Sequence, residues 1–321
     1  MVHALSVVAE ILAAGAIVTL IGTRLIERAH PPRGRFVEVG GLRQHVAEMG
    51  DAKAAPPVVL IHGAGCNLED MRLALGERLC ARRRVILVDR AGLGWSERNG
   101  RAGASPAYQA AMLREVLDRL CVERAVIVGH SWGGALATTF ALDHPARVAA
   151  LVLLAPPLYP FSRRMTWLYA LFAMPGFGWL YAHTLALPLG LPFIGVGLGS
   201  AFLPQLPPRR YIKRTAALSL LRPATFLANA RDVADLAGHL ESLKARYATL
   251  ATPTVIMTGD RDLVVAARQH ALPFAAAVPA ARLVVLPGIG HMLHHVAAER
   301  VIAEIEAMCG PISGPLTLTN L

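Results

Sequence analysis

A serine hydroxyl attacks a carbonyl only when a base stands within hydrogen-bond reach, a third group orients that base, and donors await the oxyanion. The sequence offers each of these at a separate turn: Gly129-His130-Ser131-Trp132-Gly133, Gly259-Asp260-Arg261-Asp262, Gly290-His291 and His62-Gly63-Ala64-Gly65. The spacing assigns Ser131 as nucleophile, His291 as base and Asp262 as the orienting acid. The backbone N–H groups of Ala64 and of Trp132, the residue after the nucleophile, would hold the oxyanion. Asp260 competes with Asp262, one of the two being free to hold the turn through a backbone hydrogen bond. His294 and His295 compete with His291 but fall where the last helix should start, and polar surface explains them.

These residues need elements that carry them to one place. Ala125 to Val128 is an apolar run fit for a buried strand, and Ala135-Leu136-Ala137 opens a helical pattern after Gly134. Strand, sharp turn, helix is the context in which G-x-S-x-G carries chemistry. Val58 to Ile61, Arg84 to Val88, Val148 to Leu154, Pro253 to Thr258 and Arg282 to Leu286 are further short apolar strands, as expected for a sheet covered on both faces. Phe36 to Val39 and Leu42 to Met49 flank Gly40-Gly41 as a β-hairpin. Helical stretches separate the later strands, with one starting at Ser105-Pro106 and the last spanning about Ala297 to Met308. Alternation of this kind predicts a doubly wound, mostly parallel sheet with the candidate residues at its strand ends. Asp89 also ends a strand, and its loop with Gly92 and Gly94 fits a structural turn.

Two segments break the rhythm. Ala4 to Thr23 carries one charge, Glu10, and as a helix would extend roughly 30 Å, about one hydrocarbon core. Arg24, Arg28, Arg33 and Arg35 follow it and no Lys or Arg precedes it, which places the rest of the chain in the cytosol. The competing arrangements are a helix lying on the protein's own lid, as in a cytoplasmic protein, or on the membrane surface. Met165 to Pro208 holds no Asp, Glu, Lys or Arg in 44 residues, is rich in aromatics and prolines, and is flanked by Arg163-Arg164 and by Arg209, Arg210, Lys213 and Arg214. It fits an apolar lid that buries its greasy face on the core, or one that also dips into a membrane with its basic flanks at the headgroups.

Of the 321 residues, 54% are hydrophobic and 17% charged, a balance that suits one large α/β domain with membrane contact. The net charge of +10 comes from scattered arginines without interleaved aromatics, which favours an anionic lipid surface over nucleic acid. Cys66, Cys80, Cys121 and Cys309 form no C-x-x-C and fit buried thiols in a reducing compartment. No P-loop, dinucleotide fingerprint or metal constellation is present, so no cofactor is expected; Gly195 to Gly199 is glycine-rich but lacks a strand before it.

His62-Gly63, the run from Asp89 to Ser96, Gly129 to Gly134, Gly259 to Asp262 and Gly290-His291 together resemble the lid-bearing branch of the α/β-hydrolase superfamily, in the order Ser, Asp, His. The N-terminal helix is similar in arrangement to that of membrane-bound monoacylglycerol lipases of this fold. The resemblance implies the α/β-hydrolase fold over residues 36–309, no cofactor, and a serine hydrolase; the apolar lid makes a small lipophilic ester its expected substrate. Carbon–carbon bond hydrolases share the motifs, acyltransferases differ only in the resolving nucleophile, and a non-catalytic binder would have lost a triad member. The expected organisation is a membrane-anchoring helix at 1–30, a core at 31–155 and 239–310, a lid at 156–238 and a tail at 311–321.

Overall fold

The computed structural model describes residues 2–51 and 56–310, so the tail at 311–321 lies outside the described residues. In chain order the elements begin with α1 (Val2–Ala29), β1 (Arg35–Val39), β2 (Leu42–Met49) and β3 (Val58–Ile61). Next, α2 (Leu68–Met71) runs through a π-turn into α3 (Glu77–Leu79), before β4 (Val85–Val88), α4 (Pro106–Arg119), β5 (Ala125–His130), α5 (Trp132–Asp143) and β6 (Val148–Leu154). A helical cap follows: α6 (Arg163–Ala173), α7 (Phe177–Thr184), α8 (Ala186–Gly190), α9 (Ile194–Phe202), α10 (Tyr211–Arg214) and α11 (Pro223–Lys244). The core closes with β7 (Thr254–Gly259), α12 (Ala271–Ala277), β8 (Ala281–Leu286), α13 (Leu293–Val296) and α14 (Ala298–Cys309).

The strands form one eight-stranded sheet in the order β1-β2-β4-β3-β5-β6-β7-β8. The β1–β2 and β2–β4 pairs are antiparallel and the rest parallel. Successive side chains of a strand face opposite ways. In β3 this sends Val59 and Ile61 into a core shared with α4 and α5, and Val58 and Leu60 into a second core shared with α14. Both faces are covered, which is why the strand is apolar without alternation. In a parallel sheet all carboxyl ends share one edge, so the turns after β3, β5, β7 and β8 meet there.

Short helices build the cap because prolines and glycines interrupt them. Among the described residues α1 is the one helix long and apolar enough to cross a membrane. Residues 3–11 of α1 are exposed, whereas Leu12, Gly15, Thr19, Gly22 and Ile26 form a stripe at helical spacing that is half-buried or buried. That stripe packs on α7 and α8. A Cβ at Gly15 would overlap the Thr184 carbonyl, one at Gly22 would stand 3.0 Å from Leu187, and the Thr19 hydroxyl donates to the Thr184 carbonyl at 3.4 Å. Ile26 closes a small apolar cluster with Leu187 and Leu221. The opposite faces stay apolar and open, with Ile17, Leu20 and Ile21 exposed on α1 and Trp167, Trp179 and Phe193 on the cap. α11 runs through the expected boundary at residue 238 as one continuous helix. The four cysteines are unpaired, but Cys309 alone of them is buried and Cys121 is exposed, which corrects the expectation of four buried thiols.

Candidate active site

Ser131 joins β5 to α5 at φ 50° and ψ −124°, a conformation that L residues rarely adopt. Such a residue costs of order 1–3 kcal/mol and persists only where its surroundings over-determine it. Here glycines make room for it. A Cβ at Gly129 would overlap the Gly133 carbonyl, and one at Gly133 would sit 2.6 Å from the carbonyl oxygens of Ile61 and His62. The Ser131 N–H donates to Leu154 O on β6 at 2.8 Å, and its carbonyl accepts from Gly134 N at 2.7 Å. The serine is half-buried.

Asp262 follows β7 and His291 follows β8, neighbouring parallel strands. His291 Nδ1–H donates to Asp262 Oδ2 at 2.8 Å, and both side chains are buried. Asp262 Oδ1 accepts two backbone N–H groups, from Val264 and Val265, each at 2.8 Å. All this holds the carboxylate fixed and leaves Nε2 as the imidazole nitrogen free to exchange a proton. Asp260 is exposed and accepts from Gly288 N at 2.6 Å, so it ties two turns together. His130, the residue before Ser131, reaches His291. Its Nε2–H donates to the His291 carbonyl at 3.2 Å, and the two rings lie 4.9 Å apart. Among the described residues no hydrogen bond joins Ser131 Oγ to His291; such contacts tighten as substrate engages.

Ala64 lies in the turn after β3, and Trp132 begins α5, where the first N–H groups of a helix lack partners within it. A Cβ at Gly63 would stand 3.1 Å from Ser131 Cβ, so this turn flanks Ser131. His62 is fully buried; its Nδ1–H donates to Gly63 O at 2.8 Å and its Nε2 accepts from Arg90 N at 3.0 Å. Burial, then the charge of Arg90, pushes His62 down to about 4, which keeps it the neutral acceptor this geometry needs. Asp89 accepts from His45, from Leu68 N and from Trp95 N at 2.7–2.9 Å, a structural knot.

Three sets of contacts have no short-range signature. The cap helix α11 reaches both turns expected to hold an oxyanion: Asn229 Oδ1 accepts from Gly65 N at 2.6 Å, and the Asp232 carbonyl accepts the Trp132 indole N–H at 3.0 Å. The Asp232 carboxylate pairs with Arg90 at 2.6 Å and with Arg98, all three side chains nearly inaccessible, and the Arg90 guanidinium lies 4.0 Å over the Trp132 ring. The third set corrects the surface assignment of His294 and His295. His294 is fully buried and donates to Asp70 Oδ2 at 2.9 Å, while His295 donates to Asp70 Oδ1 at 2.7 Å. The hydroxyl of Tyr211, from the cap, also donates to Asp70 Oδ1 at 2.7 Å. Burial alone would raise the Asp70 carboxyl, but the charges and hydrogen bonds of His295 and His294 outweigh it and hold it well below the usual range. Asp70, His294 and His295 offer ligand atoms within 4.8 Å of one another, a spacing open to a metal ion, and their hydrogen bonds already account for their burial.

A family model described as the alpha/beta hydrolase fold matches residues 56–298. An uncharacterized protein of Mycobacterium tuberculosis is 31% identical over 291 residues, covering 88% of this chain and 83% of its own length. A 2-hydroxy-6-oxo-2,4-heptadienoate hydrolase of Pseudomonas putida is 37% identical over 124 residues, covering 38% of this chain and 44% of its own. Among solved structures, a putative lipase from Acinetobacter baumannii superposes with a TM-score of 0.67 at 20% identity, covering 89% of this chain and 93% of that one.

Proposed function

The chain belongs to the α/β-hydrolase fold family, and we propose that within it this protein is a serine hydrolase cleaving a lipophilic carboxylic ester at a membrane surface. His291 Nε2 takes the Ser131 proton as Oγ attacks the acyl carbon, and the carbonyl electrons pass to an oxyanion held by the Ala64 and Trp132 N–H groups. Collapse of that intermediate breaks the ester C–O bond, and His291 returns the proton to the departing alcohol. Water then repeats the sequence on the acyl-enzyme. Asp262 keeps the imidazole in the tautomer with hydrogen on Nδ1 and stabilises its charged form. The observation that carries this reading is the strained Ser131, whose neighbour His130 hydrogen-bonds to His291 of the buried Asp262–His291 pair.

The substrate class rests on the cap and on α1. Their exposed apolar faces suit a bilayer, with the catalytic domain on the cytosolic side. A second reading, carbon–carbon bond hydrolysis, is favoured by the name of the Pseudomonas putida relative. It needs a cation for an acidic substrate. The buried Arg90 is already committed to Asp232, Gln109 and the carbonyls of His62 and Gly63, which favours the ester.

Burst kinetics on p-nitrophenyl esters of increasing chain length, beside a ring-fission dienoate, test the two. An acyl burst that strengthens with chain length and vanishes in Ser131→Ala and His291→Ala is the expected result. Ser131-dependent turnover of the dienoate alone would replace the ester reading, and no Ser131-dependent turnover of either would end both.

A further inference from the structure

The two charge-poor segments of this sequence each end in basic residues, and the fold brings those ends to one cleft. The cleft encloses about 510 Å³ between the last turn of α1, the α2–α3 segment and α10. Six cations line it, Arg33, Arg72, Arg210, Lys213, Arg214 and Arg222, against four carboxylates. The carboxylates are engaged: Glu69 and Glu77 with Arg72, Glu27 with Arg222, and Asp89 with His45. Arg33 and Arg214 stand at the outer limit of pairing, each 3.8 Å from a carboxylate that already holds Arg72. Arg210 and Lys213 are exposed and form no ion pair among the described residues. Arg210 also holds a left-handed backbone at φ 59°, unusual for a branchless but bulky residue without a glycine's freedom.

The segments that lead into the cleft along the chain are apolar and exposed. On α1 the exposed apolar side chains run down to Leu25, and Ile26, Glu27, Ala29, His30 and Pro31 then line the cleft wall. On the cap, exposed Phe193, Val196 and Leu206 precede Arg209. Along the chain both greasy segments therefore give way to cleft-lining residues, as a docked segment does where a bilayer changes from hydrocarbon to headgroup. Guanidinium groups bind phosphate through paired N–H donors, and a concave site concentrates them on one anion.

We propose that this cleft binds the phosphate of one anionic phospholipid headgroup, with Arg210 and Lys213 as direct ligands and Arg33 and Arg214 beside them. The inference rests on the membrane-surface part of the reading above and not on the chemistry at Ser131. A lipid held there would touch Asn67 and Leu68, which line the inner wall and continue the oxyanion turn.

The test measures partition of the full chain onto phosphatidylcholine vesicles with and without one-fifth phosphatidylglycerol. Arg210→Ala/Lys213→Ala is compared with Arg82→Ala/Arg119→Ala, an exposed pair of equal charge elsewhere, after circular dichroism shows that both fold. Wild type should prefer the anionic vesicles, the cleft pair should lose about thirtyfold of that preference, and the control pair should stay within about threefold. Equal losses for the two pairs would mean diffuse attraction and overturn the site. An unchanged vesicle preference, with inorganic phosphate raising the Tm through Arg210 and Lys213, would make it a free-phosphate site and overturn the lipid. Failure to bind either vesicle would remove the membrane reading itself. Ser131→Ala should behave as wild type throughout, so ester hydrolysis stands or falls separately.

Discussion

Trp132 donates its indole N–H to the Asp232 carbonyl at 3.0 Å, so the residue proposed to stabilise the oxyanion is held in place by the cap. The same Asp232 neutralises two buried guanidiniums, those of Arg90 and Arg98. Asp232→Asn should therefore cost about 3–5 kcal/mol of stability, because it leaves buried charge uncompensated. Urea denaturation measures this, and a loss below 1 kcal/mol would refute the buried-charge account.

Asn229→Ala removes the acceptor of the Gly65 N–H beside Ala64. The turn loses one anchor while Ser131, His291 and Asp262 keep theirs. We expect kcat on a p-nitrophenyl ester to fall about tenfold with KM within a factor of two, the pattern of an interaction made chiefly in the transition state. A change confined to KM would instead place Asn229 in substrate binding.

Asp262→Asn keeps the shape of the acid and removes its charge. The imidazole then loses its preference for hydrogen on Nδ1, and kcat should drop by roughly 10⁴ with folding intact. Steady-state rates decide between Asp262 and Asp260, since Asp260→Asn touches only the Gly288 N–H and should leave the rate within threefold.

The backbone at Ser131 supplies a stability test. Glycine accepts φ 50° without a Cβ penalty, whereas alanine retains it. Ser131→Gly should be more stable than Ser131→Ala by a few tenths to about 1 kcal/mol, the strain relief being partly offset by glycine's freedom in the unfolded chain. Thermal unfolding of the two inactive variants gives the answer, and the reverse order would mean that the elbow is not strained.

Stability should also fall on mild acidification. Burial pushes His62, His294 and His270 down to about 4, from an ordinary 6.5. Between those values the unfolded chain binds protons that the folded chain refuses, so stability is full above about pH 6.5 and declines as pH falls toward 4, by up to about 3 kcal/mol for each histidine. Asp70, held below the usual carboxylate range, adds its own loss only below about pH 4. A urea midpoint that stays constant from pH 7 to 4.5 would contradict this.

The elements that local pattern specifies were legible in the sequence. Apolar strands, the two-glycine hairpin and the serine turn depend on residues within a few positions of one another, and β3, β5 and β6 lie where the pattern puts them. What escaped is contact between distant segments. Asp70 meets His294 across 224 residues and Tyr211 across 141, and Arg90 meets Asp232 across 142. Local pattern assigns His294 and His295 to polar surface because they fall where the last helix should start. The cap covers His295 through Phe202 and Tyr211, and the His130 ring packs on His294 at 4.0 Å; no local periodicity encodes either contact.

The close seating of α1 on α7 and α8 bears on how this protein can be handled. A tether could be cut away to yield a freely dissolved catalytic domain. Removing α1 here would strip Leu187 and Leu221 of the Ile26 side chain and uncover the Thr184 carbonyl that Thr19 bonds. The shortened polypeptide would present a second sticky seam beside the one already facing outward, so recombinant production calls for the intact chain in detergent rather than a trimmed one in buffer.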